Sequence, residues 1–265
     1  MKVTVFTSNQ PRHLGLLTAL ASCADDIYAI QECNTVRPGQ VADFIRKSEV
    51  MRDYFQRVMA AERSVFGSGG FCPSKVQQLA IRMGDLNLLD LSDFGPALEA
   101  DVFVVFGASY IRGALAEFLV GRRAYNIHMG VSPYYRGSST NFWALYDGRP
   151  QYVGATIHLL STGLDSGPIL FHALPRPEAT EPFLLGMRAV KAAQQGLVQA
   201  LAAATLQAML PEPQDRTQQL RYTRNADFTD EVAAEYLERL PSPDAIRQRL
   251  EARNMSDFLR PFIGG

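Results

Sequence analysis

An asparagine and a histidine two residues apart stand near the end of an apolar run in the segment YNIHM. Asn126 and His128 share one face of a predicted strand, because successive side chains of a strand alternate between its two faces. A side-chain amide can donate a hydrogen bond to a developing oxyanion, and an imidazole can move a proton near neutral pH. Asp165, between Gly163 and Gly167, adds a carboxylate that could orient the histidine or hold a water. These are the side chains that an acyl transfer needs.

The same residues also have purely structural interpretations. A strand-end Asn and His can be hydrogen-bonded structural groups, and Asp165 can simply form a turn. His158 and His172 lie in apolar segments, so we expect them to have core or cross-strand roles. The chain has no GxSxG nucleophile motif, and direct attack by a substrate amine therefore fits better than a covalent acyl-enzyme.

Composition and motif spacing exclude several other classes of function. The 265 residues carry a formal charge of -1, and the pI of about 6.4 gives no basic field for nucleic acid or an acidic membrane. There is no GxGxxG after the first strand, no Walker loop, and no metal-binding spacing among the 4 histidines and 3 cysteines. We therefore predict no nucleic-acid partner, no membrane segment, no dinucleotide and no metal. The unpaired cysteine spacing indicates reduced thiols and a cytoplasmic location.

The apolar pattern predicts an α/β fold. Strands and helices alternate through the first half of the chain, which favours a Rossmann-like, open, mainly parallel sheet flanked by helices. Two later strands follow each other without a helix, so we expect an antiparallel addition. We predict a catalytic domain over 1–210 and a short, mostly helical C-terminal extension over 211–265. The predicted strands are 3–6, 26–32, 101–107, 124–128, 151–160 and 168–174, with 86–91 as a strand or turn; the predicted helices are 12–22, 38–66, 113–119, 139–146, 180–210, 229–239 and 243–253.

Ligands of open α/β sheets gather at the carboxyl ends of the strands, and polar residues follow several predicted strands here. Ser8, Asn9 and Gln10 follow the first strand, and Ser109 and Tyr110 follow the strand over 101–107. We expect these groups to meet Asn126, His128 and Asp165 at one edge of the sheet.

The stretch NIHMGVSPYYRGSSTNFWAL, followed by GATIHLLSTGLDSGPIL, resembles the folate-dependent formyltransferase family. That family includes methionyl-tRNA formyltransferase, glycinamide ribonucleotide formyltransferase and the sugar N-formyltransferases. The resemblance covers about residues 101–171 and rests on N-I-H, a loop ending in Y-R-G, T-I-H and a G-x-D-x-G-x-I turn. It implies the formyltransferase fold, 10-formyltetrahydrofolate as co-substrate and a primary amine as acceptor.

By match to these motifs, the resemblance implies a role for each residue of the triad. Asn126 would stabilise the tetrahedral oxyanion. His128 would act on the amine proton or polarise the formyl oxygen, and Asp165 would position His128 and a water that carries the proton to the folate nitrogen. The resemblance also places the pterin against GASYIR and LSTGLD, where Arg112 could meet the carboxylates of the folate tail. The implied folate-binding residues are Ser109, Tyr110, Ile111, Arg112, Ser161, Thr162, Gly163 and Leu164.

The acceptor is less well defined by the sequence. Met129 replaces the family's usual proline, and the hydroxyl and amide side chains of SSTN (138–141) suit a hydroxyl-rich acceptor, although they could equally cap a helix. The loop TSNQPRHLG is similar to the phosphate loop of the glycinamide ribonucleotide enzymes, but Pro11 removes a backbone donor. Arg12 and His13 could still meet a phosphate at the helix N-terminus. The predicted acceptor-binding residues are Ser8, Asn9, Gln10, Arg12, Tyr135, Arg136 and Gly137.

We favour a nucleotide-linked amino sugar as acceptor. The tail beyond Pro213 is too short for the barrel domain of methionyl-tRNA formyltransferases, and the chain lacks the positive charge that tRNA binding needs. The alternatives are another small amine or aminoacyl metabolite, methionyl-tRNA, glycinamide ribonucleotide, hydrolytic release of formate, and a non-catalytic relative that binds folate or a sugar nucleotide. The 38–66 helix and the tail could shape the acceptor pocket or the interface of a homodimer.

Overall fold

The computed structural model describes residues 1–35 and 48–265, in which an eight-stranded sheet forms the centre of the fold. The strand order is β10-β8-β7-β5-β4-β1-β2-β3, and β6 pairs with β9 in a separate two-stranded ribbon. The strands are β1 (Lys2–Ser8), β2 (Asp26–Cys33), β3 (Val76–Arg82), β4 (Val102–Val105), β5 (Tyr125–Met129), β6 (Tyr135–Gly137), β7 (Ala155–Leu159), β8 (Ile169–Pro175), β9 (Arg221–Thr223) and β10 (Phe262–Gly264).

The sheet confirms the predicted mainly parallel arrangement. Strands β3, β2, β1, β4 and β5 pair in parallel, and β7 runs antiparallel to both β5 and β8. The parallel strand β3 was not predicted from the sequence. Its VQQLAIR segment has no buried residue and lies at the edge of the sheet, so it lacks the continuous apolar run that marks the central parallel strands. The segment 86–91, predicted as a strand or turn, overlaps a 3-10 turn over Asp85–Leu88.

Helices cover both faces of the sheet, as predicted for this fold class. Leu16 of the first helix packs with Val5 and Leu197 in one buried cluster, whereas Leu115 of the third helix packs with Phe103 in a second cluster. The helices are α1 (Pro11–Leu20), α2 (Glu49–Phe66), α3 (Gly113–Gly121), α4 (Thr140–Tyr146), α5 (Pro182–Ala202), α6 (Asp230–Glu238) and α7 (Pro243–Glu251). None of the helices in residues 1–35 and 48–265 is long and apolar enough to cross a membrane.

Two helix boundaries differ from the sequence prediction. Helix α2 begins at Glu49 because the Ser48 side chain accepts the Met51 N–H at 3.1 Å, which caps the helix there. The portion of the predicted 38–66 helix before residue 48 lies outside the described residues. Helix α5 ends at Ala202 rather than near residue 210, since Ala204 adopts a left-handed conformation with φ of 53°.

The residues beyond 210 contribute to the same sheet and core as the rest of the chain. Strand β10 pairs in parallel with β8, and β9 pairs with β6. Tyr236 of α6 is 4% exposed and packs against Tyr54, Phe142 and Phe183. The extension therefore contains two short strands as well as its predicted helices, and its separation from the catalytic domain at residue 210 stays a prediction.

His172 connects β8 to two other parts of the chain. Its Nε2 donates to the Ser132 carbonyl at 2.8 Å, and its Nδ1 accepts the Leu259 N–H at 2.9 Å. This pattern requires the neutral imidazole with its proton on Nε2. Burial lowers the pKa of His172 to about 4, which keeps the ring neutral at physiological pH.

We expect Tyr236→Ala to lower the free energy of unfolding by about 3–5 kcal/mol, because it leaves a cavity among three aromatic rings. Glu238→Ala, an exposed change on the same helix, should alter it by less than about 0.5 kcal/mol. Urea denaturation measures both. Equal stabilities of the two variants would show that the tail does not contribute to the core.

His172 should make the fold sensitive to acid. Its folded-state pKa lies below the unfolded value of about 6.5, so the unfolded state binds more protons and stability falls as the pH drops from about 6.5 to about 4. The slope from one such group is about 1.4 kcal/mol per pH unit. We expect His172→Gln to be less stable at pH 7.5 but to lose correspondingly less stability per pH unit, as measured by urea denaturation across this range. If stability fell equally steeply with pH in His172→Gln and in the native protein, His172 would not be the source of the acid sensitivity.

Candidate active site

Three predicted residues meet at the carboxyl end of β5. Asn126 and His128 lie on one face of this strand, opposite His158 and Thr156 of β7. The Asp165 carboxylate contacts both: its Oδ2 lies 3.2 Å from His128 Nδ1, and its Oδ1 accepts an Asn126 Nδ2–H at 3.0 Å. The antiparallel pairing of β5 with β7 thus brings together residues 39 positions apart in sequence.

His158 belongs to the same cluster, which the sequence prediction of a core or cross-strand role did not foresee. Its Nδ1 lies 2.7 Å from the Leu159 carbonyl, so this nitrogen carries the proton and donates. Its Nε2 then accepts the second Asn126 Nδ2–H at 2.9 Å. Both amide hydrogens of Asn126 are therefore engaged within the cluster, one by Asp165 and one by His158.

The hydrogen bond to Asp165 also fixes the tautomer of His128. Since Nδ1 donates to the carboxylate, the neutral ring has a bare lone pair on Nε2. This Nε2 is buried and has no hydrogen-bond partner among residues 1–35 and 48–265. A buried polar atom without a partner is unusual in a folded protein, and at this position it is available to a bound molecule.

Asp165 is ionised and held in a strained backbone conformation. Burial raises the pKa of its carboxyl group, but His128 and His158 outweigh this effect and hold the pKa below the usual range of an aspartate. Its φ of 43° lies in the left-handed region, where a residue other than glycine is uncommon. Such strain is concentrated at functional sites.

The cluster lies in the wall of a cavity of about 960 Å³. This volume falls within the range of small-molecule sites. Residues after β1, β4, β5 and β7 line it, together with one side of α2. Of the predicted site residues, the following line the cavity: Ser8, Asn9, Gln10, Arg12, Ser109, Tyr110, Ile111, Asn126, His128, Gly137, Ser161, Gly163, Leu164 and Asp165.

Four other predicted residues do not line this cavity. Tyr135 is 1% exposed and packs in the core below α4, because the YRG segment pairs with β9 instead of forming an open loop. Arg136 lies under the tail and donates to Gln219 at 3.2 Å. Arg112 and Thr162 are exposed, and their backbone groups bond to other loop residues.

Two side chains that the sequence did not single out hold the loop over 107–112. Glu32 is fully buried and accepts the Gly84 N–H at 2.9 Å and the Ser109 N–H at 2.5 Å. The Asn87 side chain donates to the Tyr110 carbonyl at 3.0 Å and accepts the Arg112 N–H at 2.8 Å. The backbone N–H groups of Tyr110 and Ile111 have no partner in the described part of the chain.

The segment after β1 is tied to neighbouring backbone and side chains. The Asn9 amide makes two hydrogen bonds to the backbone of Asn34, at 2.9 and 3.0 Å. Arg12 pairs with Glu62 through Nη1 and Oε1 at 2.8 Å. The guanidinium of Arg12, which the sequence suggests as a phosphate-binding group, is thus paired with a carboxylate of α2, and its contact with a phosphate stays a prediction.

Comparison with known proteins assigns the region that carries the cluster. The sequence profile of the family described as formyl transferase matches residues 85–201. A methionyl-tRNA formyltransferase from Synechococcus sp. (strain JA-3-3Ab) is 35% identical over 121 residues, which cover 45% of this chain and 37% of that protein. The chain spans less than half the length of the first curated relatives that it matches.

Solved structures show the same fold over most of the chain. The formyltransferase PseJ from Anoxybacillus kamchatkensis, solved with UDP-4,6-dideoxy-4-formamido-L-AltNAc and tetrahydrofolate, superposes with a TM-score of 0.50 at 16% identity, covering 94% of this chain and 97% of that one. A 4-N formyltransferase from Francisella tularensis gives a TM-score of 0.53 at 16% identity, covering 89% and 86%. The region over 85–201 that is similar to the formyl transferase family contains Asn126, His128 and Asp165, and the solved structures show the same fold along most of the chain.

Proposed function

We propose that the chain moves a formyl group from 10-formyltetrahydrofolate to a primary amine of a nucleotide-linked amino sugar. The observation that carries the proposal is the bare, buried Nε2 of His128, oriented by the ionised Asp165 in the wall of the cavity. Binding alone would need no proton acceptor fixed in this way. The formyl folate supplies the activated one-carbon group.

The cavity has groups that suit a folate. The unpartnered N–H groups of Tyr110 and Ile111 can donate to the polar edge of a pterin, and Glu32 and Asn87 hold their loop in place. Met83, Tyr110 and Leu164 are exposed apolar side chains that line the same cavity. Exposed apolar groups around a cavity favour a flat, largely apolar ligand.

His128 and Asp165 provide proton transfer in this proposal. Neutral His128 takes a proton from the attacking amine at Nε2, which is the nitrogen without a partner. The carboxylate of Asp165 then stabilises the resulting imidazolium through Nδ1. Once protonated, Nε2 becomes a donor and can return the proton toward the departing folate nitrogen.

Asn126 is the amide closest to the reacting groups. His158 orients it so that its N–H groups, and not its oxygen, face the carboxylate side of the cluster. For Asn126 to stabilise negative charge on the formyl oxygen, one of these hydrogens must be shared between Asp165 and the substrate. A preorganised donor of this kind contributes a factor of about a hundred or more in rate.

Two findings favour an amino sugar as the acceptor class. An amino-sugar acceptor is supported by the UDP-sugar bound to the A. kamchatkensis protein, a chain of nearly the same extent, and by the net charge of -1, which does not favour tRNA. The sequence similarity to methionyl-tRNA formyltransferases favours tRNA as the second candidate. A panel of both acceptor classes distinguishes the two.

Gln214 of the C-terminal extension holds the turn that presents Asp165. Its Nε2 donates to the carbonyls of Asp165 and Gly167 at 2.9 and 2.8 Å, and both amide hydrogens are thus used by one turn. The strained φ of Asp165 needs such support from the surrounding structure. We propose that Gln214 is a positioning residue for the carboxylate.

The triad is tested by Asn126→Ala, His128→Ala and Asp165→Ala. Each should lower formyl transfer about a hundred-fold or more, because each removes a group that handles charge or a proton, while circular dichroism stays that of the native protein. The assay combines 10-formyltetrahydrofolate with nucleotide-linked amino sugars, glycinamide ribonucleotide, methionyl-tRNA and simple amino acids, and detects the added formyl group by mass. Glu117→Ala, an exposed carboxylate on α3, is the control. A near-normal rate in a triad variant would refute the role of that residue.

Gln214→Ala should lower kcat about ten-fold, since a small displacement of a catalytic group has a large effect on rate. The KM values of both substrates should change little, because Gln214 does not line the cavity. Steady-state kinetics separate the two constants. A change in KM or in thermal stability alone, with kcat intact, would assign Gln214 a purely structural role.

A further inference from the structure

A carboxylate of the protein itself occupies the N-terminus of α1. Glu62 of α2 is 4% exposed, and its Oε1 accepts the Arg12 backbone N–H at 3.0 Å as well as the Arg12 guanidinium at 2.8 Å. Helix N-termini attract anions, and backbone N–H groups followed by an arginine are what a phosphate would use. Here Glu62 already engages the backbone N–H of Arg12 and one nitrogen of its guanidinium, Nη1.

The neighbouring groups of this helix end are also unavailable to a phosphate. Pro11, the first residue of α1, has no N–H, and the His13 N–H donates to the Gln10 carbonyl at 2.9 Å. The carboxylate of Glu62 would also repel a second anion. Pro11, Arg12 and His13, the first three residues of α1, therefore offer no free backbone N–H to an anion.

His13, the next residue of α1 in the cavity wall, is uncharged. The Thr7 hydroxyl donates to the Phe106 carbonyl at 2.8 Å, so the His13 Nδ1 at 2.9 Å from Thr7 Oγ1 must be the donor of that bond. The His13 Nε2 is then a bare acceptor, and it makes no hydrogen bond in the described part of the chain. Burial lowers the pKa of His13 well below its ordinary value, and the ring stays neutral.

Gln10 adds a second uncharged group beside His13. One end of its amide contacts the Ser8 hydroxyl at 2.9 Å, which leaves the other end for the cavity that both residues line. Neutral hydrogen-bonding groups of this kind match a hydroxyl, which both donates and accepts. They provide no charge with which to bind an anion.

We propose, building on the proposed transferase function, that the α1 end of the cavity binds an uncharged, hydroxyl-bearing part of the acceptor and excludes phosphate. The acceptor's sugar ring then faces α1, and any diphosphate that it carries lies away from this helix. The residue that determines this specificity is Glu62, with His13 as the group that meets the hydroxyl.

The exclusion of phosphate is tested by titrating inorganic phosphate into 15N-labelled protein and following the Arg12 amide resonance. The same titration is made with Glu62→Ala and Glu62→Gln. The control is Asp53→Ala, which removes another carboxylate of α2. We expect no saturable shift in the native protein or in Asp53→Ala. Glu62→Ala should bind phosphate at least about ten-fold more tightly than the native protein, because it frees the Arg12 donors. Glu62→Gln, which keeps the side-chain shape without its charge, should also gain binding and guards against a folding defect in Glu62→Ala.

Phosphate binding to the native protein at Arg12 would overturn the proposal. It would also be overturned if neither Glu62→Ala nor Glu62→Gln bound phosphate more tightly than the native protein. If His13 contacts a hydroxyl of the acceptor, His13→Phe should raise KM for an amino-sugar acceptor about ten-fold and leave KM for 10-formyltetrahydrofolate unchanged. An unaltered acceptor KM would refute this contact. The phosphate titration needs no turnover. If no acceptor were formylated, the transferase proposal would fail while this result still decided whether Glu62 blocks an anion site.

Discussion

The Asp165 carboxylate is the interaction on which the candidate site depends. One oxygen fixes the tautomer of His128 and the other takes a hydrogen of Asn126. Because the two histidines hold the pKa of this carboxyl group low, the charge persists across the neutral range. Removing that charge would release the orientation of both partners at once, so a single acidic residue determines the geometry of two others.

The strands and loops around this carboxylate hold it and its partners in position. The antiparallel pairing of β5 and β7 places His158 directly opposite Asn126, and the turn after β7 carries Asp165 back over the same strand end. The parallel half of the sheet supplies the opposite wall, where Glu32 and Asn87 hold the loop after β4. The hydroxyl of Tyr110 reaches the Thr162 carbonyl at 2.5 Å and joins the two walls.

The parts of the fold and site that depend on local pattern could be predicted from the sequence, whereas those that depend on distant partners could not. Strands β1, β2 and β4 and their parallel order follow from apolar runs, and Asn126, His128 and Asp165 follow from short motifs. By contrast, Arg12 looked available because nothing near it in sequence is acidic, yet Glu62, 50 residues away, occupies it. Tyr135 looked like a loop residue because its pairing partner β9 lies in the tail. The sequence predicts only a core or cross-strand role for His158, and its cross-strand neighbour is Asn126, a candidate catalytic residue.

The anchoring of the Asp165 turn by Gln214 has a consequence for the order in which the protein assembles during its synthesis. The strands that hold Asn126, His128 and Asp165 emerge from the ribosome before Gln214 and before β9, which pairs with the YRG segment. Domains generally fold as units during synthesis. All strands of the central sheet except β10 are therefore made before the turn at Asp165 can be secured, and the site becomes complete only after the segment over 214–223 has been added.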